Sequence, residues 1–149
     1  MYLFAFLVPS VVLAADTEES FFLIETNKQT DLDIKITSVG AFGLNNGRVG
    51  HLNLSYIESA GDGNTLALDL GGGVAYHAGL TYFFSVGFLL GYNRDNSDYI
   101  AAYYPEIGVV AQIAKTFGLI ATGRKYSNLY SSIEDENIVM FGLLFGSHQ

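Results

Sequence analysis

The chain has 149 residues, of which only 15% are charged, whereas an ordinary soluble domain carries roughly 25% charged residues. Half of the residues are hydrophobic, 17 are glycine and 2 are proline, which excludes a disordered or collagen-like chain. The net charge of -8 argues against nucleic-acid binding, which needs clustered basic residues, and the absence of cysteine excludes disulfides and thiolate catalysis.

The first segment predicts an export signal. Residues 1–14 are almost entirely apolar, and the small residues Ala14 and Ala15 resemble a signal-peptide cleavage site. The stretch is shorter than the about 20 apolar residues that a membrane-spanning helix needs. We therefore predict a signal peptide over residues 1–14, without its usual basic start, and a single mature domain over residues 15–149.

From Ser20 onward, apolar residues recur at every second position, which is the periodicity of β-strands. The clearest example runs from Leu80 to Tyr92, where no charged residue interrupts the alternation. The intervals between such runs are short enough for hairpins. The pattern predicts an all-β fold, an eight-stranded antiparallel up-and-down transmembrane β-barrel. The predicted strands cover residues 21–26, 32–37, 51–56, 65–76, 80–92, 99–113, 117–126 and 137–145.

The composition of the two strand faces predicts which face points outward. A water-exposed exterior should be about 25 to 35% charged, but the polar face of these runs carries few charges among many small residues. Small side chains fit the narrow interior of an eight-stranded barrel. We therefore predict that the apolar face contacts lipid and that a polar network fills the lumen. Its predicted members are Asp33, Lys35, Asp69, Glu106 and Arg124, with Asp69 beside Lys35 and Glu106 beside Arg124.

The same logic makes two local predictions. In the second run, Ile34 and Ile36 alternate with Lys35, so we expect the isoleucines on the lipid face and Lys35 in the lumen. In the sixth run, Pro105 removes a donor from the strand ladder, so we expect a bulge or an unpaired neighbour there.

Aromatic residues near the strand ends predict how the barrel sits in a bilayer. The ten steps from Tyr82 to Tyr92, at about 3.3 Å each and a tilt near 40°, project to about 25 Å along the barrel axis. That height equals the apolar band of outer-membrane barrels, which aromatic residues flank on both sides. The predicted aromatic girdle consists of Tyr56, Tyr76, Tyr82, Tyr92, Tyr99 and Phe145.

These features resemble the small eight-stranded outer-membrane barrels of Gram-negative bacteria, the OmpA/OmpX-like superfamily. The resemblance covers about Ser20 to Phe145, and its best local piece is the last run, Asn137 to Phe145, which is similar to the final strand that the barrel-assembly machinery recognises. It implies a location in the bacterial outer membrane, contact with outer-membrane lipid and lipopolysaccharide, and insertion by that machinery. It also implies a structural or surface-interaction protein with a plugged lumen, whose outer loops are the contact surface.

Two alternatives remain open, a soluble secreted barrel that binds a hydrophobic ligand and a lipid-acting outer-membrane enzyme. His51 and Ser55 share one strand face, but four strand steps separate them by about 13 Å. A base must approach its nucleophile to about 3 Å, so partners from other strands would be needed. We therefore expect no catalytic residue, no cofactor and no metal site.

Overall fold

The computed structural model describes residues 19–27, 33–129 and 137–146, and these residues form one closed barrel of eight antiparallel strands. Every strand pairs with its sequence neighbours, and β1 pairs with β8 to close the barrel. This confirms the predicted all-β, up-and-down architecture. The strands are β1 (Glu19–Asn27), β2 (Ile34–Asn45), β3 (Arg48–Ser59), β4 (Gly63–Ala78), β5 (Leu80–Asn93), β6 (Asp98–Ala114), β7 (Phe117–Lys125) and β8 (Asn137–Gly146).

One prediction concerns a part of the chain that precedes these strands. The predicted signal peptide over residues 1–14 lies outside the described residues. Within the described residues, no helix is long and apolar enough to cross a membrane.

The connections define two ends of the barrel. At the turn end, tight turns join β2 to β3, β4 to β5 and β6 to β7. Positive φ angles at Asn46, Gly47 and Gly79 suit these turns, because asparagine and glycine adopt the left-handed conformation at little cost. The loop end carries the connections β1–β2, β3–β4, β5–β6 and β7–β8. β1 begins and β8 finishes at the turn end.

The strands are staggered, so that a hydrogen-bonded row climbs as it passes around the barrel. A row that begins at Glu19, the first residue of β1, ends at Ile138 in β8. On β8, Met140 is the partner of Asn27, the last residue of β1. Ile138 lies nearer the loop end than Met140, so the row has climbed past the last residue of β1 when it has passed around the barrel. Closing an eight-stranded barrel requires such a stagger and the strand tilt that accompanies it. The row passes through Leu44, Val49, Gly73, Ser85, Glu106 and Arg124.

The outer face of the barrel is covered by large apolar side chains. The residues predicted to point outward on β3 to β8 do so, and β5 shows the pattern most fully. Its exposed residues are Leu80, Tyr82, Phe84, Val86, Phe88, Leu90 and Tyr92. The six predicted girdle residues are also exposed on this face. Tyr56, Tyr92 and Tyr99 lie toward the loop end, and Tyr76, Tyr82 and Phe145 lie toward the turn end.

The predicted orientation of β2 was wrong. Ile34 and Ile36 are buried inside the barrel, whereas Lys35 points outward, where its Nζ lies 3.4 Å from Glu58 Oε2. The reason is that the interior near the loop end is itself apolar. An apolar side chain at that height has a suitable environment on either face, so alternation alone does not determine the direction.

The inner face changes from apolar to polar and back to apolar along the strands. On β3, Val49 is followed by the polar His51, Asn53 and Ser55 and then by Ile57, all buried. The turn-end apolar layer consists of Phe21, Leu23, Phe42, Leu44, Val49, Phe83, Val110, Ile120 and Leu144. The loop-end apolar layer consists of Ile34, Ile36, Ile57, Ala67, Leu89, Ala102, Tyr104, Tyr126, Leu129, Ile138 and Met140.

β6, which contains Pro105, pairs continuously with β5, but its pairing with β7 is interrupted. Pro105 pairs in register with Val86 of β5. The ladder between β6 and β7 begins only at Glu106, and beyond Pro105 a single bridge joins Tyr103 to Ser127. The interruption fits the missing proline N–H. The register shift of β6 lies elsewhere, between Gln112 and Ala114, so the alternative expectation of a bulge at Pro105 was wrong.

Candidate functional site

The polar middle layer of the interior is organised around Arg124 of β7, which is 2% exposed. Its Nη2 donates to Glu25 Oε1 over 2.6 Å, and its Nε donates to Glu106 Oε1 over 2.8 Å. Its Nη1 lies 3.5 Å from Asp69 Oδ2. The three carboxylates come from β1, β6 and β4, so a single guanidinium connects strands from different sides of the barrel.

A second set of contacts surrounds these ion pairs. The Tyr104 hydroxyl donates a short hydrogen bond to Asp69 Oδ1 and lies 2.9 Å from His51 Nε2. Ser85 Oγ donates to Glu106 Oε2 over 2.5 Å. The Arg124 guanidinium carbon lies 5.1 Å from the centre of the Tyr104 ring, within the range of a cation–π contact. Arg124 Nη1 also donates to the Tyr126 hydroxyl over 3.4 Å. We call Glu25, His51, Asp69, Ser85, Tyr104, Glu106, Arg124 and Tyr126 the ionic cluster.

Burial makes the ionic cluster sensitive to the loss of any one charge. Glu25, Asp69 and Glu106 are each about as buried as Arg124. Transferring charges from water to a protein interior costs several kcal/mol per ion, and this cost is recovered only when partners and hydrogen bonds are well placed. Charge-assisted hydrogen bonds of the kind that Arg124 makes are about twice as strong as neutral ones. The cluster therefore fixes the relative positions of four strands.

The structure brings together three of the five predicted network residues. Asp69, Glu106 and Arg124 meet in the ionic cluster, and Glu106 is a direct partner of Arg124 as predicted. Asp33 and Lys35 lie outside it, because both are exposed near the loop end. Lys35 therefore pairs with Glu58 and not with Asp69, so this part of the prediction was wrong.

The roles of the other five residues in the cluster were missed from the sequence, including those of Glu25, His51 and Tyr104. Glu25, His51 and Tyr104 are polar residues on the inner faces of β1, β3 and β6. The sequence did contain a signal for the face on which each residue lies. Each is an even number of residues from other buried residues of its strand, and such positions share one face. This spacing identifies the face, but the contact between Glu25 and Arg124 spans 99 residues of chain and depends on the stagger of the barrel.

The pair considered for catalysis is not joined. His51 and Ser55 are both buried on the inner face of β3. The Ser55 hydroxyl bonds to the Ser38 hydroxyl over 2.8 Å, whereas His51 contacts Tyr104. Among the described residues, no group of three or more His, Asp or Glu side chains is arranged to hold a metal ion.

Tyr104 reaches the ionic cluster by crossing over a glycine. Gly87 of β5 lies directly opposite Tyr104 of β6, and a Cβ atom at position 87 would overlap the Tyr104 ring. An aromatic ring that covers a cross-strand glycine is a known device for holding a curved sheet in register. The absence of a side chain at position 87 thus leaves room for the Tyr104 ring.

We predict that Gly87→Ala displaces the Tyr104 ring and lowers the free energy of unfolding by about 1–3 kcal/mol, as overpacking does in other cores. Denaturant unfolding of the barrel in detergent, followed by circular dichroism, would measure the change. Gly61→Ala is the matched control, because a Cβ at position 61 meets nothing within 4 Å. Equal losses for the two variants would contradict this account of Gly87.

Comparison with known proteins supports the fold. No protein-family model matches the chain, and no curated protein matches it. A solved structure described as "De novo design of transmembrane beta-barrels" is similar, with a TM-score of 0.57, 19% sequence identity, and coverage of 87% of this chain and 95% of that chain. The solution NMR structure of the de novo designed TMB2.3 is similar with a TM-score of 0.54, 13% identity, and coverage of 90% and 99%. The chain thus has the fold of designed transmembrane β-barrels.

Proposed function

We propose that this chain is a non-conducting β-barrel of the bacterial outer membrane, with a structural or surface-interaction role carried by its loop end. The observation that carries the proposal is the distribution of side chains over the two faces. The outer face carries many large exposed apolar residues between two sets of aromatic residues, and the inner face carries a buried apolar layer toward each end with the ionic cluster between them. This combination suits a barrel whose exterior contacts hydrocarbon and whose interior transports nothing.

The outer face supports the membrane location. Monomeric soluble proteins rarely expose contiguous apolar patches larger than a few hundred Å². Here the exposed apolar residues continue across neighbouring strands, as in the row of Val74, Phe84 and Ile107 on β4, β5 and β6. Exposing such a surface to water would be strongly unfavourable, whereas lipid chains provide it with an apolar environment.

The interior supports the plugged lumen. An ion entering from the turn end would first meet the turn-end apolar layer, in which the rings of Phe42 and Phe83 lie 5.7 Å apart. An ion entering from the loop end would meet Ile36, Ile57 and Leu89, all buried. Between the two apolar layers, Arg124 and its partners in the ionic cluster occupy the lumen. An eight-stranded barrel leaves room inside for little more than its own side chains.

The loop end supports the interaction role, because two of its connections are fastened to each other. Asn93 Nδ2 donates to the Asp62 carbonyl over 2.6 Å, and the Asn64 N–H donates to Asp95 Oδ2 over 2.7 Å. The first bond ties the β3–β4 connection to the end of β5, and the second ties the β5–β6 connection to the start of β4. Asn96 Nδ2 also donates to the Asp62 carbonyl over 3.1 Å, which joins the two connections directly. A surface held in one conformation loses less conformational entropy on binding than a flexible one.

The alternatives receive less support. A soluble barrel for a hydrophobic ligand would be expected to keep its apolar residues inside and to enclose a cavity, whereas Phe84, Val86 and Ile107 are more than half exposed. A lipid-acting enzyme would need a nucleophile and a base in contact, and the buried His51 and Ser55 bond to different partners.

The proposal is tested by folding the protein into lipid vesicles and recording from planar bilayers. We expect a folded form that migrates differently from the boiled form on a detergent gel, that stays with the membrane after urea washing, and that gives no stable conductance steps. A general diffusion porin serves as the positive control for conductance. Stable conductance would refute the plugged lumen, and recovery of the folded protein in the soluble fraction would refute the membrane location. Fractionation of cells that express the protein would test the outer membrane specifically.

A further inference from the structure

On one side of the barrel, the apolar residues of the outer face extend much less far toward the loop end than on the other side. Along β5, outward apolar residues continue from Leu80 to Tyr92. Along β1, the outward residues are Phe22 and Ile24, followed toward the loop end by the exposed hydroxyl residue Thr26. A barrel in a flat bilayer would need apolar residues over a similar height all around.

The strands that flank β1 extend this difference. On β2, Thr37 lies directly opposite Thr26, and the next outward residue toward the loop end is Lys35, which is 53% exposed. On β7, the exposed Lys125 lies opposite the exposed Asn137 of β8. Hydroxyl, amide and ammonium groups thus replace apolar side chains on four consecutive strands. We call Thr26, Lys35, Thr37, Lys125 and Asn137 the polar notch.

The stagger of the strands fixes the height of the notch. With strands about 4.8 Å apart and tilted by about 40°, each step to the next strand in a row rises by about 3 Å, and each residue along a strand spans about 2.5 Å of height. Leu66 is two row steps above Thr37, through Tyr56. Leu68 lies two residues nearer the turn end than Leu66, so Leu68 and Thr37 are level to within about 1 Å.

At the height of Thr37, the outer face of β4 is still apolar. Leu68 lies between the outward-facing Leu66 and Leu70 of β4, so apolar side chains continue above and below it. At the same height, β2 presents the Thr37 hydroxyl, with the Lys35 ammonium one outward position higher. A flat bilayer would hold the Thr37 hydroxyl and the ion pair of Lys35 with Glu58 in hydrocarbon, where polar and charged groups on the lipid face are costly.

We propose that phospholipid head groups descend to the polar notch, so that the bilayer is thinner beside β7, β8, β1 and β2 than beside β3 to β6. The inference rests on the proposed membrane function. The ammonium groups of Lys35, which also pairs with Glu58, and of Lys125 attract the anionic lipid phosphate. The Thr37 hydroxyl can donate to the phosphate oxygens, whereas the Thr26 hydroxyl donates to the Ile36 carbonyl. Local thinning costs only fractions of a kcal/mol per Å of mismatch, which is less than the burial of several polar groups.

Tryptophan fluorescence offers a direct test, because the chain contains no tryptophan. Thr37→Trp places one reporter in the notch, and Leu68→Trp places its matched control at the same height on β4, two strands around the barrel. Both proteins are folded into phosphatidylcholine vesicles that carry quenchers either at the head group or deep in the acyl chains. We expect the ratio of head-group to acyl-chain quenching to be at least about twofold higher for Thr37→Trp.

The outcomes separate this inference from the proposed function. If both reporters are quenched mainly by the deep probe, the bilayer is flat and the inference is wrong, while the membrane location stands. If neither reporter is quenched, the barrel is not in the membrane and both proposals fail.

A second measurement covers the case in which Thr37→Trp does not fold. The double variant Thr26→Leu, Thr37→Leu fills the notch with apolar side chains and should fold best in thicker bilayers than the unmodified protein, in a series of lipids of increasing chain length. Ala101→Leu, on the outer face of β6, is the control and should leave the preferred thickness unchanged. An unchanged preference in the double variant would overturn the inference.

Discussion

Replacing Arg124 by methionine is expected to destabilise the barrel by about 3–5 kcal/mol, enough to prevent stable folding of a marginal protein. Methionine keeps much of the length of arginine but leaves Glu25, Asp69 and Glu106 without the cation that they share. Each of these carboxylates is buried. The loss follows from uncompensated charge in a medium of low dielectric constant, more than from the lost packing of the arginine stem.

The fraction of protein in the heat-modifiable folded form, measured against denaturant concentration in detergent, would show this loss. Lys35→Met is the matched control, because it removes the same charge from an exposed pair and should change stability by less than about 1 kcal/mol. Combining Arg124→Met with Glu25→Gln, Asp69→Asn and Glu106→Gln should restore part of the stability, since no buried charge is then unpaired. An Arg124→Met barrel as stable as the Lys35→Met barrel would show that the ionic cluster contributes little.

The strands and their order were predictable because the outer face of this barrel is apolar over most of its height. In β3 to β8, one side of each strand is therefore apolar over most of its length, and alternation identifies both the strand and the direction of its side chains. Leu80 to Tyr92 is the clearest case, and the structure gives it the predicted orientation. Hairpin-sized intervals between strands then left one simple arrangement, an up-and-down barrel.

The orientation of β2 was not predictable from alternation, because two different apolar environments compete there. Near the loop end, the outer face has already become polar at Thr37 and Lys35, while the inner face is still apolar at Ile34 and Ile36. Reading the isoleucines as outward reversed the strand and moved Lys35 into the lumen. The pairing of β2 with β1 and β3 decides the matter, and that register is a property of the closed barrel.

The membership of the ionic cluster was only partly predictable for a related reason. Asp69, Glu106 and Arg124 were recognisable as charges on the inner faces of their strands. Which charges meet depends on the stagger between strands, since a shift of two residues keeps a side chain on the same face but moves it by about 6.6 Å along the strand. The contact of Glu25 with Arg124 joins β1 to β7 across β8, so it could be recognised only in the closed barrel.

The change in the free energy of unfolding caused by Val86→Arg is expected to distinguish a membrane barrel from a soluble one. Val86 is 61% exposed and lies on the outer face of β5 between Tyr82 and Tyr92. In a soluble protein, an exposed valine tolerates arginine within about 0.5 kcal/mol. At the middle of a bilayer, arginine on the lipid face costs about 2–4 kcal/mol, and the cost falls to about 0–1 kcal/mol near the interfaces.

Ala78→Arg provides the depth control, because Ala78 is an exposed residue at the turn end of β4, beyond Tyr76. Equilibrium unfolding of the two variants in lipid vesicles should therefore show a loss of a few kcal/mol for Val86→Arg and little change for Ala78→Arg. The difference arises because the arginine at position 86 has no short path to water, whereas the one at position 78 reaches the head groups. If Val86→Arg were as stable as the unmodified protein in vesicles, the apolar outer face would not be embedded in hydrocarbon, and the proposed membrane function would have to be abandoned.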